Sequence, residues 1–463
     1  MAPDKRARTK KLLQLMFQEY YRTNQDSVDI PDRVHKREFA LESWDYYWVC
    51  KKQKIELEDG TEVERGCGNS GRSFSEIKVC PHCGQERPQI TRWSRHHGYR
   101  TREMLLAELA RSVPHSVYHS AAFYQVPVTR SMIEKEWEGA ELVFDIDADH
   151  LDAPCAEKHD VWQCTNLECG ETGRGKSPEE CPECGEKSFR NLKWICDDCL
   201  DIAKENTLKL YDKFLVKHFG IDPDNIQLNY SGHRGYHVRV KDPSVFNLDT
   251  NGRMEIAHYL TGMGLNSTIE SKGRLRITPT GELKHWQLPA IARKIADAMI
   301  EFIDNIDSYQ GNDKWIKHLA AQRDAAIEGL EKDPPMLSAK VHHVGAKSWQ
   351  EIADRAAAFY SVEIDQPVTY DIHRVIRLIG SLNGKTGFTV TEITRDELPD
   401  FDPLGDALAF TDGDLKVTIP QREIKVPSFR IGDSKYGPYN GSVEELPKAA
   451  AVFLLCKGMA TIE

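Results

Sequence analysis

The spacing of the cysteines constrains this chain most, because eleven of its 12 cysteines lie in two short segments. Four pairs are separated by only two or four residues, and two of these pairs form Cys-Pro-x-Cys-Gly turns. Such a turn directs two thiolates to one side of the backbone, and two turns brought together complete a tetrahedral zinc site. Disulfide bonds are the less favoured alternative, because the sequence shows no export signal.

The cysteine pattern predicts three zinc sites, each with a full set of four ligands and therefore structural rather than catalytic. The four cysteines between positions 164 and 184 are expected to form a compact zinc ribbon. This ribbon interrupts a second site, in which Cys196 and Cys199 after the ribbon need two further ligands from the segment before it. The N-terminal set is less compact, because its first two cysteines do not form a tight turn. Cys456 lies in an apolar run and is expected to be a core thiol. The predicted ligand sets are Cys164, Cys169, Cys181 and Cys184; Cys155, His159, Cys196 and Cys199; and Cys50, Cys67, Cys80 and Cys83.

The balance of charge excludes a polycation that binds nucleic acid over its whole surface. The chain has 61 Lys and Arg against 72 Asp and Glu, a net charge of -11, so any nucleic-acid contact must come from local basic patches. No stretch approaches the length of about 18 apolar residues that a membrane-spanning helix needs. The basic N-terminal segment lacks a sustained apolar region, which predicts a helix rather than a signal peptide.

Hydrophobic residues recur along the chain with the period of a helix in some segments and of a strand in others, which predicts an α/β (α+β) body with inserted segments. Helices are expected over residues 4–24, 101–111, 200–219 and 288–330. Strands are expected over residues 141–147, 225–230 and 236–240, the last two around a glycine turn.

Two carboxylates, Asp145 and Asp147, end the apolar strand predicted at residues 141–147. Alternation in a strand places residues i and i+2 on one face, and adjacent carboxylates repel each other unless a cation lies between them. Their oxygens suit Mg²⁺ or Mn²⁺. Solvated acids in a strand-end turn are the alternative, and the neighbouring Asp149 and His150 keep the cluster ambiguous.

A third carboxylate is expected from the later part of the chain. Asp365 ends a short apolar and acidic alternation, as the first pair does. Glu363 and Asp371 are competitors that the spacing does not exclude.

Three segments without an acidic residue stand out in this acidic chain: residues 87–102, 225–241 and 372–391. The first combines five arginines with aromatic side chains, which suits contact with a nucleic-acid backbone and base stacking. The second offers serine, arginine and histidine donors beside two glycines, which suits phosphate oxygens. The third contains a glycine loop that is not a P-loop, because position 379 is Ile where that motif requires Gly. A solvated loop is the alternative for each segment.

Several motifs in order resemble the catalytic (small) subunit of archaeal/eukaryotic-type DNA primase. Residues 143–150 resemble the metal-binding motif of that family, residues 230–237 its SGxxGxH nucleotide motif, and residues 373–387 its RLPGSLHGKTG motif. Shorter matches occur at residues 37–40, 118–124 and 449–459, so the resemblance covers most of the chain.

The resemblance implies an archaeo-eukaryotic primase catalytic core that synthesises short primers on single-stranded DNA from nucleoside triphosphates, by two-metal catalysis with Mg²⁺ or Mn²⁺. It also implies a heterodimer with a large regulatory subunit that carries an iron–sulfur cluster, and a cytoplasmic location in an archaeon or a nuclear one in a eukaryote. The family's zinc knuckle follows the acidic strand, as the set around Cys155 does. The implied metal ligands are Asp145, Asp147 and Asp365, and the implied nucleotide contacts are Ser231, Arg234, His237, Arg377, Asn383, Glu38 and Arg92.

The chain departs from the family pattern at Ile379, commonly Pro, and at Asn383, commonly His. Asparagine donates a hydrogen bond but cannot carry a proton, which leaves the nucleotide contact at position 383 open. The cysteines at 50–83 and the ribbon at 164–184 are additions, for which template contact and subunit docking are both open. A primase-related end-joining or repair polymerase, a nuclease using the same metal site, and a non-catalytic zinc-ribbon adaptor are the alternative functions.

The predicted organisation is one catalytic core interrupted by insertions. Its segments are the N-terminal part of the core at 1–45, a zinc-ribbon-like insertion at 46–100, the core at 101–284 with a zinc-binding insertion at 155–199, a small helical subdomain at 285–335, and the C-terminal part of the core at 336–463.

Overall fold

The computed structural model describes residues 3–56, 62–149, 151, 153–166, 168–263, 267–271, 275–279, 288–309, 313–338, 340–422 and 424–463. The chain divides into two compact units. The first unit comprises Met1–Leu208, Gly220–Leu248 and Asp371–Glu463, and the second comprises Lys209–Phe219 and Asp249–Tyr370. The second unit includes the segment predicted as a helical subdomain, while the five-part division itself stays a prediction.

The helices confirm the mixed α+β class. The first predicted helix is α1, and the second, α2, is capped by Thr101, whose side chain accepts the N–H of Met104 at 3.4 Å. The helix predicted from position 200 is α4, followed directly by a π-helical segment, Leu210–His218. The described helices are α1 (Pro3–Thr23), α2 (Arg102–Ser112), α3 (Ala156–His159), α4 (Asp197–Lys209), α5 (Thr250–Leu260), α6 (Leu288–Asp304), α7 (Lys314–Ala320), α8 (Arg323–Leu330), α9 (Ala346–Tyr360), α10 (Gln366–Tyr370), α11 (Pro403–Asp406) and α12 (Lys448–Cys456). No helix in the described ranges has the length and hydropathy required to cross a membrane.

The strands fall into two main antiparallel sheets in the first unit and several small ones. The described strands are β1 (Phe39–Val49), β2 (Gln53–Glu56), β3 (Glu62–Arg65), β4 (Ser70–Ser73), β5 (Gln89–His97), β6 (Ser116–Ser120), β7 (Ala122–Tyr124), β8 (Trp137–Ala140), β9 (Leu142–Asp147), β10 (Val161–Cys164), β11 (Thr172–Arg174), β12 (Phe189–Leu192), β13 (Ile226–Tyr230), β14 (Gly235–Val240), β15 (Ser267–Ser271), β16 (Leu275–Pro279), β17 (Val375–Arg377), β18 (Thr391–Ile393), β19 (Asp414–Ile419), β20 (Phe429–Ile431), β21 (Ser434–Tyr436), β22 (Ser442–Pro447) and β23 (Thr461–Ile462).

The first main sheet has the order β17-β6-β1-β4, and β5 also pairs with β1. The long strand β1 serves two partners along one side, because its first half pairs with β6 and its second half with β4. β5 follows the other side of β1 with register shifts. This arrangement places β17, with Arg377 at its end, at an edge of the sheet.

The second main sheet has the order β18-β13-β14-β9. The hairpin of β13 and β14 confirms the two strands predicted around a glycine turn, and β9 confirms the predicted acidic strand. The antiparallel register pairs His237 with Asp145 and Gly235 with Asp147. The acidic pair and the 230–237 motif are therefore neighbours across one strand pairing.

A buried cluster of three charges joins the two main sheets. Arg37, just before β1, and Arg239, on β14, both contact Glu141, just before β9, at 2.5 and 2.7 Å. Burial favours the neutral form of Glu141, but the two arginines outweigh it and lower its pKa to about 2. The remaining guanidinium nitrogens donate to neighbouring groups, Arg37 to the Ser120 carbonyl and Arg239 to the Gln227 side chain.

Helix α1 packs its apolar side against the first main sheet. Phe17 is fully buried, with its ring 5.0 Å from that of Trp44 in an edge-on arrangement. Two tyrosines of α1 reach the glycine loop at 380–387: the Tyr20 hydroxyl donates to the Gly380 carbonyl at 2.9 Å, and the Tyr21 hydroxyl accepts the Leu382 N–H at 3.2 Å. The helix therefore fixes a loop that carries predicted site residues.

In the described residues of the second unit, the strands β15 and β16 form one hairpin and the other regular elements are helices. Helices α6 and α9 pack against each other with fully buried side chains, among them Met299, Trp349 and Ile352. The predicted helical stretch 288–330 is present as three consecutive helices, α6 to α8, because turns interrupt the apolar pattern.

Candidate active site

The acidic pair lies at the end of β9, as predicted. Asp145 and Asp147 share one face of the strand, while Ile146 between them is fully buried on the other face. The Asp145 side chain is 23 % exposed, and Asp147 Oδ1 accepts the N–H of Asp149 at 2.9 Å. His150, which follows in the motif, lies outside the described residues. Two carboxylates at an accessible strand end are a suitable oxygen donor set for Mg²⁺ or Mn²⁺.

A histidine faces the first of these carboxylates. His237 Nε2 is 3.6 Å from Asp145 Oδ1, across the pairing of β14 with β9. Burial, reinforced by Arg377, Arg239 and Arg374, lowers the pKa of His237 to about 3. The imidazole is therefore neutral at physiological pH. Opposite Asp147 stands Gly235, where a Cβ would lie 2.0 Å from the Ile146 carbonyl oxygen, so only glycine fits.

In the described part of the chain, several predicted nucleotide contacts hold buried polar atoms without a hydrogen-bond partner, Arg234 Nε among them. Ser231 Oγ and Arg377 Nη1 are buried and make no hydrogen bond within the described part of the chain. Arg377 lies 4.9 Å over the ring of Tyr118, which fixes the guanidinium without using its donors. Buried donors are rarely left unsatisfied in native proteins, so these two are available to a ligand.

Asn383 has a different place from the one implied by the resemblance. Its side chain is fully buried; Nδ2 donates to the Ser231 carbonyl at 3.1 Å and Oδ1 accepts the Lys385 N–H at 3.0 Å. Thr386 adds a bond to the Gly232 carbonyl at 2.6 Å. The Nδ2 bond holds the 231–235 turn against the 380–387 loop, and the Oδ1 bond lies within that loop. Nucleotide contact by Asn383 stays a prediction that these bonds do not favour.

Three lysines not predicted as site residues belong to the same electrostatic environment. Burial and the nearby Arg377 lower the pKa of Lys385, while Asp147 is among the groups that raise it. Burial likewise lowers the pKa of Lys193, and the charge of Asp147 partly offsets this. Burial lowers the pKa of Lys457 to about 7, and its Nζ donates to the Lys193 carbonyl at 2.9 Å. Lys385 lies within the acid-free segment 372–391, so its sequence signal was present; Lys193 and Lys457 lie in segments without such a pattern.

Arg234 has partners at one end of its guanidinium, while its Nε makes no hydrogen bond among the described residues. Its side chain is 2 % exposed, and Nη1 contacts Asp160 Oδ2 at 2.9 Å and the Trp194 carbonyl at 3.0 Å. A further ion pair joins it to Asp149. A triphosphate role for Arg234 stays a prediction that these partners do not favour.

Glu38 and Arg92 have partners of their own. Glu38 is completely buried and accepts from Arg95 Nε at 2.8 Å, with Lys135 Nζ 3.1 Å away. Arg92 lies 3.4 Å from Glu42, whose carboxylate also contacts His115 at 3.1 Å. Their predicted place in the nucleotide pocket is not tested by these contacts.

The third predicted carboxylate, Asp365, belongs to the second unit. Its backbone carbonyl accepts the Val368 N–H at 3.0 Å at the start of α10. Of its competitors, Glu363 belongs to the second unit and Asp371 to the first. The role of Asp365 as a ligand stays a prediction.

The three cysteine groups predicted from spacing each come together in space. Within each group one ligand atom from every residue lies within 4.8 Å of the others. Two thiolates bound to one tetrahedral zinc are about 3.8 Å apart, and the contacts here span 3.1 Å for Cys155 with Cys199 to 3.8 Å for Cys169 with Cys181. No cysteine forms a disulfide. The groups are Cys50, Cys67, Cys80 and Cys83; Cys155, His159, Cys196 and Cys199; and Cys164, Cys169, Cys181 and Cys184.

The middle cysteine group is linked to the 230–237 motif through one carboxylate. Asp160 Oδ1 lies 2.8 Å from His159 Nδ1 and also accepts the Trp194 N–H. The same carboxylate holds Arg234. A carboxylate on the second nitrogen of a ligating histidine orients the ring, so Asp160 couples this group to the sheet that carries the acidic pair.

Comparison with known proteins gives one consistent result. The model of the family described as DNA primase small subunit matches residues 179–395. The DNA primase small subunit PriS of Methanothrix thermoacetophila is 31% identical over 393 residues, covering 80% of this chain and 89% of the relative. That of Thermoplasma volcanium is 30% identical, covering 76% and 81%, and that of Methanococcoides burtonii is 28% identical, covering 98% of each chain. The chain therefore belongs to the family of DNA primase small subunits.

Proposed function

We propose that the chain is the catalytic subunit of a DNA primase, which joins nucleoside triphosphates into short primers on a single-stranded DNA template. The observation that carries this is the pairing of two accessible carboxylates with unsatisfied donors on neighbouring segments. An acidic pair suits divalent metal, and buried donors without partners suit phosphate oxygens. Family membership agrees with this reaction.

Asp145 and Asp147, with Asp365 as the third carboxylate, would hold Mg²⁺ or Mn²⁺. Bound metal supplies charge that lowers the pKa of an attacking 3′-hydroxyl and neutralises the leaving pyrophosphate. His237 lies opposite Asp145 across the strand pairing, with its Nε2 3.6 Å from Asp145 Oδ1, and the low pKa of its imidazole keeps it uncharged beside the proposed metal ligand.

The triphosphate would lie along Ser231, Arg377 and Lys385. Ser231 Oγ and Arg377 Nη1 contribute donors that have no hydrogen-bond partner among the described residues, and Lys385 contributes a positive charge. The backbone bonds made by Asn383 and Thr386 hold these groups in place before the nucleotide arrives. Fixed donors of this kind stabilise developing charge without reorganisation.

The three cysteine groups would each hold one structural zinc, since each has four ligands and no open position. They account for all eleven clustered cysteines, which leaves only Cys456 outside a group. The iron–sulfur cluster expected of a primase is therefore assigned to a large regulatory subunit, in keeping with the words small subunit in the names of the relatives. We place this heterodimer in the cytoplasm of an archaeal cell.

The test is primer synthesis on circular single-stranded DNA without a preformed 3′ end. Wild type with its large subunit is expected to make labelled primers only with Mg²⁺ or Mn²⁺, and D145A/D147A to retain less than about a thousandth of that activity while folded. D222A/D224A is the matched control, because Asp222 and Asp224 are exposed and have the same spacing. Synthesis by D145A/D147A at the wild-type rate would refute the assignment.

The products also separate the alternatives. Extension of a supplied 3′ end without new primers would indicate an end-joining or repair polymerase, and strand cleavage a nuclease. DNA binding without metal-dependent incorporation would indicate the zinc-ribbon adaptor.

A further inference from the structure

A cationic cavity of about 260 Å³ lies in the first unit, beside the glycine loop that borders the acidic pair. Arg6 and Lys10 line it from one face of α1, since they are four residues apart on that helix. Arg190 lines it from strand β12 of the zinc ribbon, and Arg422 from the segment after β19. Three distant parts of the chain thus direct positive charge into one space.

The charge of this cavity is not balanced by its lining. No acidic residue lines it among the described residues. Lys10 and Arg92 have outside partners, Asp45 and Glu42, but Arg6 and Arg190 have no acidic partner in the ranges that the structure describes. Burial lowers the pKa of Arg422, and the positive charges of Arg6 and Arg190 lower it further. A cluster of like charges raises the free energy of the empty site, and an anion relieves that repulsion.

Aromatic rings complete the cavity. Phe74 is 44 % exposed, and Lys10 Nζ lies 4.6 Å over its ring. Tyr46 lies below the Arg92 guanidinium at 5.5 Å. Arginines interleaved with exposed aromatic rings bind a nucleotide unit through its phosphate and its base together.

The cavity adjoins the candidate active site through a single loop. Gly384 lines the cavity, and its neighbours in the loop are Asn383 and Lys385. A Cβ at position 384 would lie 2.3 Å from the His115 ring, so glycine is required for the loop to pass this close. The same loop is close to the acidic pair, because Asp147 is among the groups that raise the pKa of Lys385.

We propose that this cavity binds one phosphate-and-base unit of the single-stranded DNA template, with Arg6, Arg190 and Arg422 on the phosphate and Phe74 against the base. This site is separate from the triphosphate site. The inference rests on the proposed function only in naming single-stranded DNA as the ligand. The zinc-binding insertion at 155–199 would then contribute to template binding, because Arg190 lies on its strand β12. A free nucleoside triphosphate offers the same phosphate and base chemistry, and the experiment separates the two sources.

The experiment measures binding of a fluorescently labelled oligothymidylate to the full heterodimer across a range of salt concentrations, without nucleotides or divalent metal. R6E/R190E is expected to weaken binding at least about tenfold and to reduce the salt dependence by about 0.7 for each lost phosphate contact. K11E/K176E is the matched control, with the same charge change on exposed positions of α1 and the ribbon that do not line the cavity. Phe74→Ala is expected to weaken binding of a base-containing oligonucleotide at least about fivefold more than that of an abasic one.

Equal affinity and salt dependence of R6E/R190E and K11E/K176E would overturn the proposal. It would also be overturned if R6E/R190E bound the oligonucleotide normally and instead required more free nucleotide to form the first dinucleotide, because the cavity would then hold a free triphosphate. Since binding is measured without catalysis, these outcomes are independent of whether primer synthesis itself is observed.

Discussion

Strand β9 carries a charged cluster at each end, and the two clusters differ in whether their polar atoms have partners. At its start, Glu141 is enclosed between Arg37 and Arg239, and their remaining donors are also bonded. At its end, the acidic pair is accessible, and the nearby Ser231 and Arg377 hold donors that have no hydrogen-bond partner in the ranges that the structure describes. Removing one member of a fully bonded buried cluster destabilises the fold, whereas donors without a protein partner can bond to a ligand.

The largest expected effect separates stability from catalysis. Glu141→Gln leaves two buried guanidinium groups without a counter-charge and is expected to lower the free energy of unfolding by about 3–5 kcal/mol. Urea unfolding measures this change, while the incorporation rate per folded molecule stays near that of wild type. A stability unchanged within about 0.5 kcal/mol would show that the cluster is not the joint between the sheets.

Changes to the unpaired donors are expected to have the opposite profile. Arg377→Ala should lower kcat/KM for the nucleotide about a hundredfold and Ser231→Ala about tenfold, since each removes a hydrogen bond to a charged group. Their unfolding free energies should change by no more than about 1 kcal/mol, because neither donor has a hydrogen-bond partner among the described residues and Arg377 loses only its contact with the Tyr118 ring. Arg111→Ala, which breaks only an exposed pair with Glu108, is the control and should change neither quantity. Equal kinetics for Arg377→Ala and Arg111→Ala would contradict the assignment.

Asp160 links the sheet of the acidic pair to a predicted metal group, because its carboxylate contacts both Arg234 and His159. Asp160→Asn keeps the shape but weakens the bond that orients His159, so the zinc affinity of that group is expected to fall about tenfold. Competition with a chromophoric chelator measures the loss of one zinc per chain. Asp198→Asn, at an exposed position of α4, serves as control. Zinc retention by Asp160→Asn equal to that of the control would remove Asp160 from the zinc site.

The smallest expected effect is the pH dependence of the Glu141 cluster. The pKa of Glu141 is about 2 in the folded chain against an ordinary 4.5, so the unfolded chain binds the proton first. Its contribution to stability is therefore complete above pH 4.5 and is lost as the pH falls towards 2. Between pH 5.5 and 3.5 wild type should lose about 1 kcal/mol more than Glu141→Gln. Parallel pH profiles in urea unfolding would contradict this origin of the shift.

The sequence predicted most reliably what is local. The strand with the acidic pair, the hairpin that contains the SGxxGxH motif and the composition of the three cysteine groups were all predictable, because each depends on alternation or on short spacing. Two sets of ion pairs have no local signal in the sequence: Arg234 with Asp160, and Glu141 with its two arginines. Each joins residues about 70 to 100 positions apart. For the same reason the burial of Glu38 and Asn383 was not predictable.

In the proposed reaction the acidic pair binds metal and thereby recruits the nucleotide to Ser231 and Arg377. Calorimetric titration with a non-incorporable nucleoside triphosphate, with and without Mn²⁺, tests it directly on wild type and D145N/D147N. Wild type should bind the nucleotide at least about tenfold more tightly when Mn²⁺ is present, and D145N/D147N should show no such gain. A full metal-dependent gain in D145N/D147N would contradict the account.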